Sequence, residues 1–176
     1  MSSEQKKEII ILGIDPGTII TGFGAILFSG NKYKTLDYGR ILPPPKESIT
    51  NRLAIIQQSI EEIIQRLKPD VLSIELQYFP KNHNNPLSAL KVGMARGVIC
   101  VAAKRMGLHD IYEYMPSEAK LAIVGNGRAS KEQVRAMIKH LLGLTKIPHE
   151  DAADALALAI CHAHTLNSKK AMGQKI

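Results

Sequence analysis

The chain has 176 residues, of which 45% are hydrophobic, and this length and composition fit one compact domain with a sizeable core. Lys and Arg number 23 against 16 for Asp and Glu, so the net charge of +7 favours nucleic acid or an anionic membrane surface as a partner, or serves solubility alone. The polar first residues lack the apolar core of a signal peptide, and no apolar run reaches the roughly 18 uncharged residues of a membrane span. We therefore expect a soluble cytoplasmic protein, with Cys100 and Cys161 reduced and buried.

Three apolar, β-branched segments open the chain and predict an antiparallel meander. The first segment is Glu8 to Asp15, and it ends at the turn formed by Pro16 and Gly17. The second and third segments are Thr21 to Phe28 and Tyr33 to Leu42, and three consecutive prolines stop the third.

Helical patterns then alternate with two further strands, which predicts a mixed α/β sheet with helices on its faces. The predicted elements are a helix over Ile49–Leu67, a strand over Val71–Glu75, a helix over Pro86–Met106, a strand over Ile111–Tyr114, a helix over Ser117–Val124, a helix from the Ser130 and Gln133 capping box to Leu142, and a helix from Pro148 to about Thr165. Residues 1–8 are predicted to be a disordered extension, 9–165 a single domain, and 166–176 a basic flexible tail.

Four acidic residues, Asp15, Glu75, Asp151 and Asp154, lie at element boundaries where a fold can bring distant carboxylates together. Asp15 could instead be a turn former before Pro16, and the helix dipole alone favours Asp151. However, a charge that closes a buried strand is costly unless it is paired or faces a cleft, and like charges one helical turn apart repel without a cation. The set predicts two Mg²⁺ or Mn²⁺ ions, which prefer carboxylate oxygens and promote phosphodiester hydrolysis.

Several motifs follow one another in a specific order between Ile9 and His164. They are Ile11-Leu12-Gly13-Ile14-Asp15-Pro16-Gly17 with Thr21-Gly22-Phe23-Gly24, Ile74-Glu75, Ala95-Arg96-Gly97, Gly125-Asn126-Gly127-Arg128-Ala129-Ser130-Lys131 and His149-Glu150-Asp151-Ala152-Ala153-Asp154-Ala155. This ordered set resembles the RuvC family of Holliday-junction resolvases, in the ribonuclease H-like superfamily. The resemblance implies a ribonuclease H-like mixed sheet, with antiparallel strands 1 to 3 and parallel additions.

The resemblance also implies an activity, a cofactor and partners. It assigns both catalysis and metal binding to the four carboxylates at positions 15, 75, 151 and 154. A homodimer would nick two opposed strands of a four-way DNA junction symmetrically, with about two Mg²⁺ ions per site or Mn²⁺ in their place. The family works in the bacterial cytoplasm, in recombination and repair, with the RuvA–RuvB branch-migration complex. Part of the apolar helix over Pro86–Met106 should then pack across the dimer interface.

Basic and aromatic residues match the family's DNA contacts less closely. Lys120 and Lys131 fall where the family carries basic residues, although both could be solvated surface charges. Three positions after its glutamate the family has a Phe that stacks in the opened junction, whereas this chain has Tyr78 followed by Phe79, so either ring could stack. The full set of predicted DNA-binding residues is Tyr78, Phe79, Lys81, Lys120, Arg128 and Lys131.

Two functions of other classes stay open, and a zinc site is disfavoured. The segment Ile14–Thr18 with its hairpin resembles the first phosphate loop of sugar-kinase and actin-like ATPases, but 176 residues cannot supply their second domain. A non-catalytic junction-binding module would keep the basic loops and need no acidic set. Cys161, His162 and His164 do not share one helix face, which disfavours zinc.

Overall fold

A computed structural model describes residues 8–76, 86–167 and 173–176. In chain order the elements are β1 (Glu8–Asp15), β2 (Thr21–Ser29), β3 (Lys32–Ile41), α1 (Ile49–Leu67), β4 (Val71–Glu75), α2 (Pro86–Arg105), β5 (Ile111–Tyr114), α3 (Pro116–Val124), α4 (Lys131–Leu141), α5 (Glu150–Asn167) and β6 (Gln174–Lys175). The predicted strands and helices are all present, and most bounds agree within one or two residues.

The strands form one mixed sheet in the order β3-β2-β1-β4-β5-β6. The pairs β1–β2 and β2–β3 are antiparallel, as short turns require, whereas β1–β4 and β4–β5 are parallel and are joined by crossover helices. The predicted fold, an antiparallel meander extended by parallel strands and flanked by helices, is confirmed.

Each face of the sheet carries its own core because side chains alternate along a strand. In β1, Ile11 packs into the core beneath α3, α4 and α5, whereas Leu12 and Ile14 pack into the core beneath α1 and α2. Helix α5 contacts β1 and β2 on one side and α3 and α4 on the other. It is therefore buried along most of its length, although both of its ends carry polar residues.

The two ends of the chain differ from the sequence prediction. Glu8 is the first residue of β1 and not the last of an extension, and α5 continues to Asn167, past the predicted start of the tail. Within that tail, Gln174–Lys175 pairs antiparallel with β5, which corrects the prediction of flexibility there. Two polar residues carry no strand pattern, and β6 forms because the edge of β5 offers unpaired backbone groups. Residues 1–7 and 168–172 lie outside the described residues.

The last helix also begins later than predicted, at Glu150 and not near Pro148. The guanidinium of Arg135, in α4, donates two hydrogen bonds to the Pro148 carbonyl, at 3.2 Å from Nε and 2.9 Å from Nη2. Helix α4 thus holds the Pro148 carbonyl, and α5 starts two residues after Pro148.

Helix α2 is long and apolar enough to cross a membrane, with a mean hydropathy of 1.4 over an 18-residue window. Lys91 and Arg96 interrupt its apolar residues, so the sequence has no uncharged run of that length here. Length and composition are weak grounds for a span, since the core helix of a soluble protein passes the same test. In this fold α2 packs on α1, and it buries Ala95 and Ile99 in the core beneath them.

Candidate active site

Asp15 and Glu75 lie side by side because they end neighbouring parallel strands. Ile14 of β1 is opposite Ile74 of β4, so the next residue of each strand emerges at the same edge of the sheet. The two carboxyls are close enough for the charge of Glu75 to raise the pKa of Asp15.

Three glycines let the first turns of α5 rest directly on the sheet beside Asp15. A Cβ at Gly13 would lie 1.9 Å from the Ala155 carbonyl oxygen, and a Cβ at Gly22 would lie 2.0 Å from the Asp151 carbonyl oxygen. At Gly24 it would lie 2.6 Å from the Leu156 side chain. Real Cβ atoms do not approach backbone oxygens this closely, so the close approach of α5 requires glycine.

The glycines also bring the two acidic pairs together. Gly22 is directly opposite Asp15 in the β1–β2 register, and the backbone of Asp151 lies over Gly22. Asp154 follows one turn later in α5, where its charge acts on both Asp15 and Glu75. The structure thus gathers all four predicted carboxylates into one electrostatic cluster.

Helix α4 holds the start of α5 and brings a lysine to the cluster. Ser130 caps α4, its hydroxyl accepting from the Gln133 amide at 3.3 Å, while the Gln133 side chain accepts from the Ser130 amide at 2.9 Å. This confirms the predicted capping box and makes Lys131 the first residue of the helix. The Lys131 ammonium forms an ion pair with Glu150, the first residue of α5.

The cluster is short of positive charge, and the pKa values of its acids reflect that shortage. Burial, followed by the charges of Glu75, Asp154 and Asp151, raises the pKa of Asp15 to about 8. Burial and the charge of Asp154 raise the pKa of Glu75, and burial also raises that of Asp154. Lys131 opposes all three shifts without cancelling them, so an added cation would be stabilised here.

A cavity of about 240 Å³ opens beside the carboxylates, between α3, α4 and α5. Two carboxylates and two predicted DNA-binding lysines line it together with apolar side chains: Glu75, Asp154, Lys120, Lys131, Pro116, Ala119, Val134, Ala157 and Leu158. Arg128 is exposed in the loop before α4 and does not line this cavity. Tyr78, Phe79 and Lys81 lie outside the described residues.

The carboxylates do not stand in a ready-made ligating geometry. Across residues 8–76, 86–167 and 173–176, no three His, Cys, Asp or Glu side chains are arranged to hold one metal ion. The donor set nevertheless suits a hard divalent ion, because it consists of half-buried carboxylates that repel one another.

The surroundings of Cys161 and His162 do not suit a zinc site. His162 is buried, and its Nδ1 lies 2.6 Å from the Tyr114 hydroxyl. Burial lowers the pKa of His162 to about 4, so its ring is neutral and already partnered. Cys161 is also buried, and burial raises the pKa of its thiol to about 12, which keeps it protonated.

Sequence reasoning missed the residues that position the carboxylates. Gly13, Gly22 and Gly24 belong to the motifs of β1 and β2, but the sequence alone assigned them no role. Gly22 and Gly24 are two residues apart, so they face the same side of β2. Two contacts join α4 to the start of α5, Lys131 with Glu150 and Arg135 with the Pro148 carbonyl. Neither gave a signal, because a contact between separate segments leaves no periodic pattern in either.

Comparison with known proteins gives a consistent result. The family model described as crossover junction endodeoxyribonuclease RuvC matches residues 11–162. Curated relatives with that description come from Protochlamydia amoebophila, 54% identical over 89% of this chain and 92% of the relative, and from Alkaliphilus oremlandii, 47% identical over 90% and 95%. The solved structure of Thermus thermophilus RuvC in complex with Holliday junction substrate is 33% identical, covers 94% of this chain and 99% of that one, and superposes with a TM-score of 0.85.

Proposed function

Because the chain belongs to the RuvC family of crossover junction endodeoxyribonucleases, we propose that its four clustered carboxylates cleave DNA with divalent metal ions. The chain is a structure-selective endonuclease that resolves Holliday junctions in DNA recombination and repair. The observation that carries the metal proposal is the cluster itself, in which Asp15, Glu75 and Asp154 all have raised pKa values although Lys131 lowers each of them and Lys120 lowers that of Asp154.

The carboxylates at positions 15, 75, 151 and 154 would hold Mg²⁺, or Mn²⁺ in its place, with two ions per site. The ions would supply an activated water and stabilise the leaving oxygen in hydrolysis of the phosphodiester. Ion binding would relieve the repulsion that raises the pKa of Asp15. The protein's own contribution is to fix the carboxylates on two strand ends and one buried helix.

The basic residues would bind the DNA and orient the phosphate to be cut. Lys120 and Lys131 line the cavity beside Glu75 and Asp154, and the pKa of Lys131 is raised by its Glu150 partner and by Asp154. Lys131 therefore stays charged and can contact a phosphate oxygen. Exposed Arg128 would extend this basic surface along the backbone of the DNA. Tyr78, Phe79 and Lys81 remain proposed contacts, with one ring stacking at the crossover.

We also propose that two chains associate through α2, which leaves one face uncovered. Leu90, Met94, Gly97 and Val101 recur every three or four residues along that face. The exposed fractions are 61% for Leu90 and 56% for Val101, and a Cβ added at Gly97 would meet nothing within 4 Å. An apolar helical stripe with this spacing suits packing against a second copy of itself. Two-fold symmetry would then supply two sites for two opposed cuts.

Three further assignments follow from the family and are proposals for this chain. The homodimer would act in the cytoplasm on junctions delivered by the RuvA–RuvB branch-migration complex. Residues 9–165 would make up most of a single nuclease domain, which β1 begins at Glu8 and α5 and β6 continue past residue 165.

Cleavage of a labelled four-way junction tests the metal proposal. We expect cutting in Mg²⁺ or Mn²⁺ and no cutting in Ca²⁺ or EDTA, because catalysis needs the tight octahedral geometry of the smaller ions. Junction binding, measured by mobility shift in EDTA, should persist. Equal cutting in chelator would refute the metal mechanism, whereas binding without cutting in every ion would support the non-catalytic junction-binding alternative.

Met94→Glu is expected to separate the proposed dimer, because it places a charge on the apolar stripe of α2. Sedimentation should give the mass of two chains for the wild type and of one chain for this variant, whose two cuts should lose their coupling. Leu166→Glu is a matched control at an exposed position near the end of α5, and it should stay dimeric. A monomeric wild type, or a dimeric Met94→Glu variant, would contradict the proposed interface.

A further inference from the structure

A groove separate from the carboxylate cavity lies between the turn after β1 and the first turns of α2. We name it the turn groove; its volume is about 580 Å³. Its lining consists of Gly17, Thr18, Ile19, Ile20, Leu87, Ser88, Lys91 and Val92. The roles described so far for the carboxylates and the basic residues do not use this groove.

The turn that forms one wall of the groove is rigid. The Thr21 hydroxyl donates to the Gly17 carbonyl at 2.6 Å and accepts from the Gly17 amide at 3.3 Å, so one side chain closes the turn from both sides. Both Thr18 and Thr21 are buried, and a Cβ on Gly17 would lie 2.2 Å from the Ile20 carbonyl oxygen. The turn therefore holds a fixed shape before any ligand arrives.

This rigid turn buries its threonines and exposes its isoleucine. The exposed fraction of Ile19 is 65%, and that of Leu87 on the opposite wall is 67%. A single exposed aliphatic side chain is ordinary, but Ile19 on the turn and Leu87 on α2 line one groove from opposite walls and form an apolar surface. Lys91 adds a positive charge to the same groove.

The groove lies at the same edge of the sheet as the site that would cut the DNA. Asp15 immediately precedes the turn, and Gly22, which is opposite Asp15 in the sheet, immediately follows Thr21. The turn therefore projects from the same edge of the sheet as the carboxylates. The turn is therefore within reach of the nucleotides next to a phosphate bound at Asp15.

We infer that the turn groove binds a nucleotide next to the scissile phosphate, an inference that rests on the proposed junction cleavage. Ile19 and Leu87 contact the apolar face of the deoxyribose or base, and Lys91 contacts a phosphate of the same strand. An apolar wall with one cation matches a nucleotide, which pairs an apolar ring face with a single negative charge. Ile19 is thus a substrate-positioning residue near the cut.

Ile19→Ser tests this inference because it keeps the turn and removes the apolar contact. We expect its single-turnover cleavage rate in Mg²⁺ to fall about tenfold or more, the scale of losing one buried aliphatic side chain. Its melting temperature and its mass in solution should match the wild type. Ile19→Leu should retain most of the rate, and Leu166→Ser, at an exposed leucine in the last turns of α5, should retain all of it.

A set of junctions with one abasic nucleotide placed at each position around the cut identifies the contact. At the contacted position the wild type should lose rate, and Ile19→Ser should lose nothing further, because the contact is already absent. The inference would be overturned if Ile19→Ser cut within twofold of the wild-type rate, or if each abasic nucleotide lowered the rate equally. A change of mass in Ile19→Ser would also overturn it, because it would mark a protein interface.

Affinity for the same junctions, measured in EDTA, separates this inference from the proposed function. If the wild type binds junctions but never cuts them, the proposed metal chemistry fails. Binding of a nucleotide in the turn groove is still supported if one abasic position lowers the affinity of the wild type but not that of Ile19→Ser. If the wild type neither binds nor cuts, both are overturned.

Discussion

Asp15→Asn is expected to abolish junction cleavage in Mg²⁺, lowering the single-turnover rate by roughly 10⁴- to 10⁶-fold, the scale on which loss of one member of a catalytic set acts. Asparagine keeps the shape of the side chain but removes the negative charge that the proposed ions would bind. Junction affinity should stay within about threefold of the wild type, because basic residues contacting phosphates supply most of it. Rapid-mixing cleavage and mobility shift on one labelled junction measure the two quantities.

The other three carboxylates should behave in the same way. Glu75→Gln, Asp151→Asn and Asp154→Asn are each expected to lose cleavage and keep binding. Glu62→Gln is the matched control, since Glu62 is an exposed acid of α1, on the opposite face of the sheet from α5. A variant of the set that cuts as fast as the control would remove its residue from the proposed site.

The stability of Asp15→Asn shows whether the lost activity comes from lost structure. The pKa of Asp15 is raised from 3.8 to about 8, so the folded protein binds this proton more tightly than the unfolded chain. Without metal, wild-type stability is therefore full below about pH 4 and falls as the pH rises towards 8. Asparagine never ionises and avoids this loss.

In EDTA at pH 8.5, the variant should melt at least about 2–4 °C above the wild type, the shift that 1 kcal/mol produces in a chain of this size. At pH 4 the two should melt together. Added Mg²⁺ should raise the wild-type melting temperature and leave the variant nearly unchanged. A variant that melts below the wild type at pH 8.5 would contradict the electrostatic account of the cluster.

Gly22→Ala should lower the cleavage rate about 100-fold or more without touching a charged side chain. The new Cβ would lie 2.0 Å from the Asp151 carbonyl oxygen, and backbone cannot rotate away, so α5 must move off the sheet. A displacement on the order of 1 Å at a catalytic group costs about 10²-fold. Overpacking of this kind should also lower the free energy of unfolding by roughly 1–3 kcal/mol.

Gly39→Ala is the control for the glycine substitution, because it lies in the same sheet on β3. Its Cβ would meet the Phe23 ring at 3.0 Å, a side chain that can shift. We expect a small change in stability and full cleavage. Chemical denaturation establishes that Gly22→Ala is folded under assay conditions. A folded Gly22→Ala variant that cuts at the wild-type rate would show that the close seating of α5 does not set the carboxylate geometry.

The strand and helix pattern of this chain is determined locally. The apolar spacing of Ile56, Ile60 and Ile63 specifies α1 without reference to any other segment, and those three side chains are buried as that spacing requires. The capping box at Ser130 likewise marks the start of α4 within four residues. Such signals are local, so the sequence was sufficient for them.

The candidate site was predictable only in part. Asp15 and Glu75 stood out because each charge closes an apolar strand, and parallel neighbours bring such ends together. The strand pattern identifies these two residues, but it gives neither the distance between their carboxyls nor their protonation states. The raised pKa of Asp15 depends on burial by the whole fold and on charges up to 139 positions away, such as Asp154.

Contacts between distant segments were decided by the tertiary structure alone. Gln174–Lys175 becomes a strand because β5 has a free edge, and α5 starts at Glu150 because Arg135 holds the carbonyl of Pro148. Gly22 is required because a helix from the other end of the chain lies on it. The sequence by itself determined which segments form and which acids matter, since both depend on neighbours in the chain. How closely those acids approach one another was decided by packing, because packing depends on contacts between segments that are far apart in the chain.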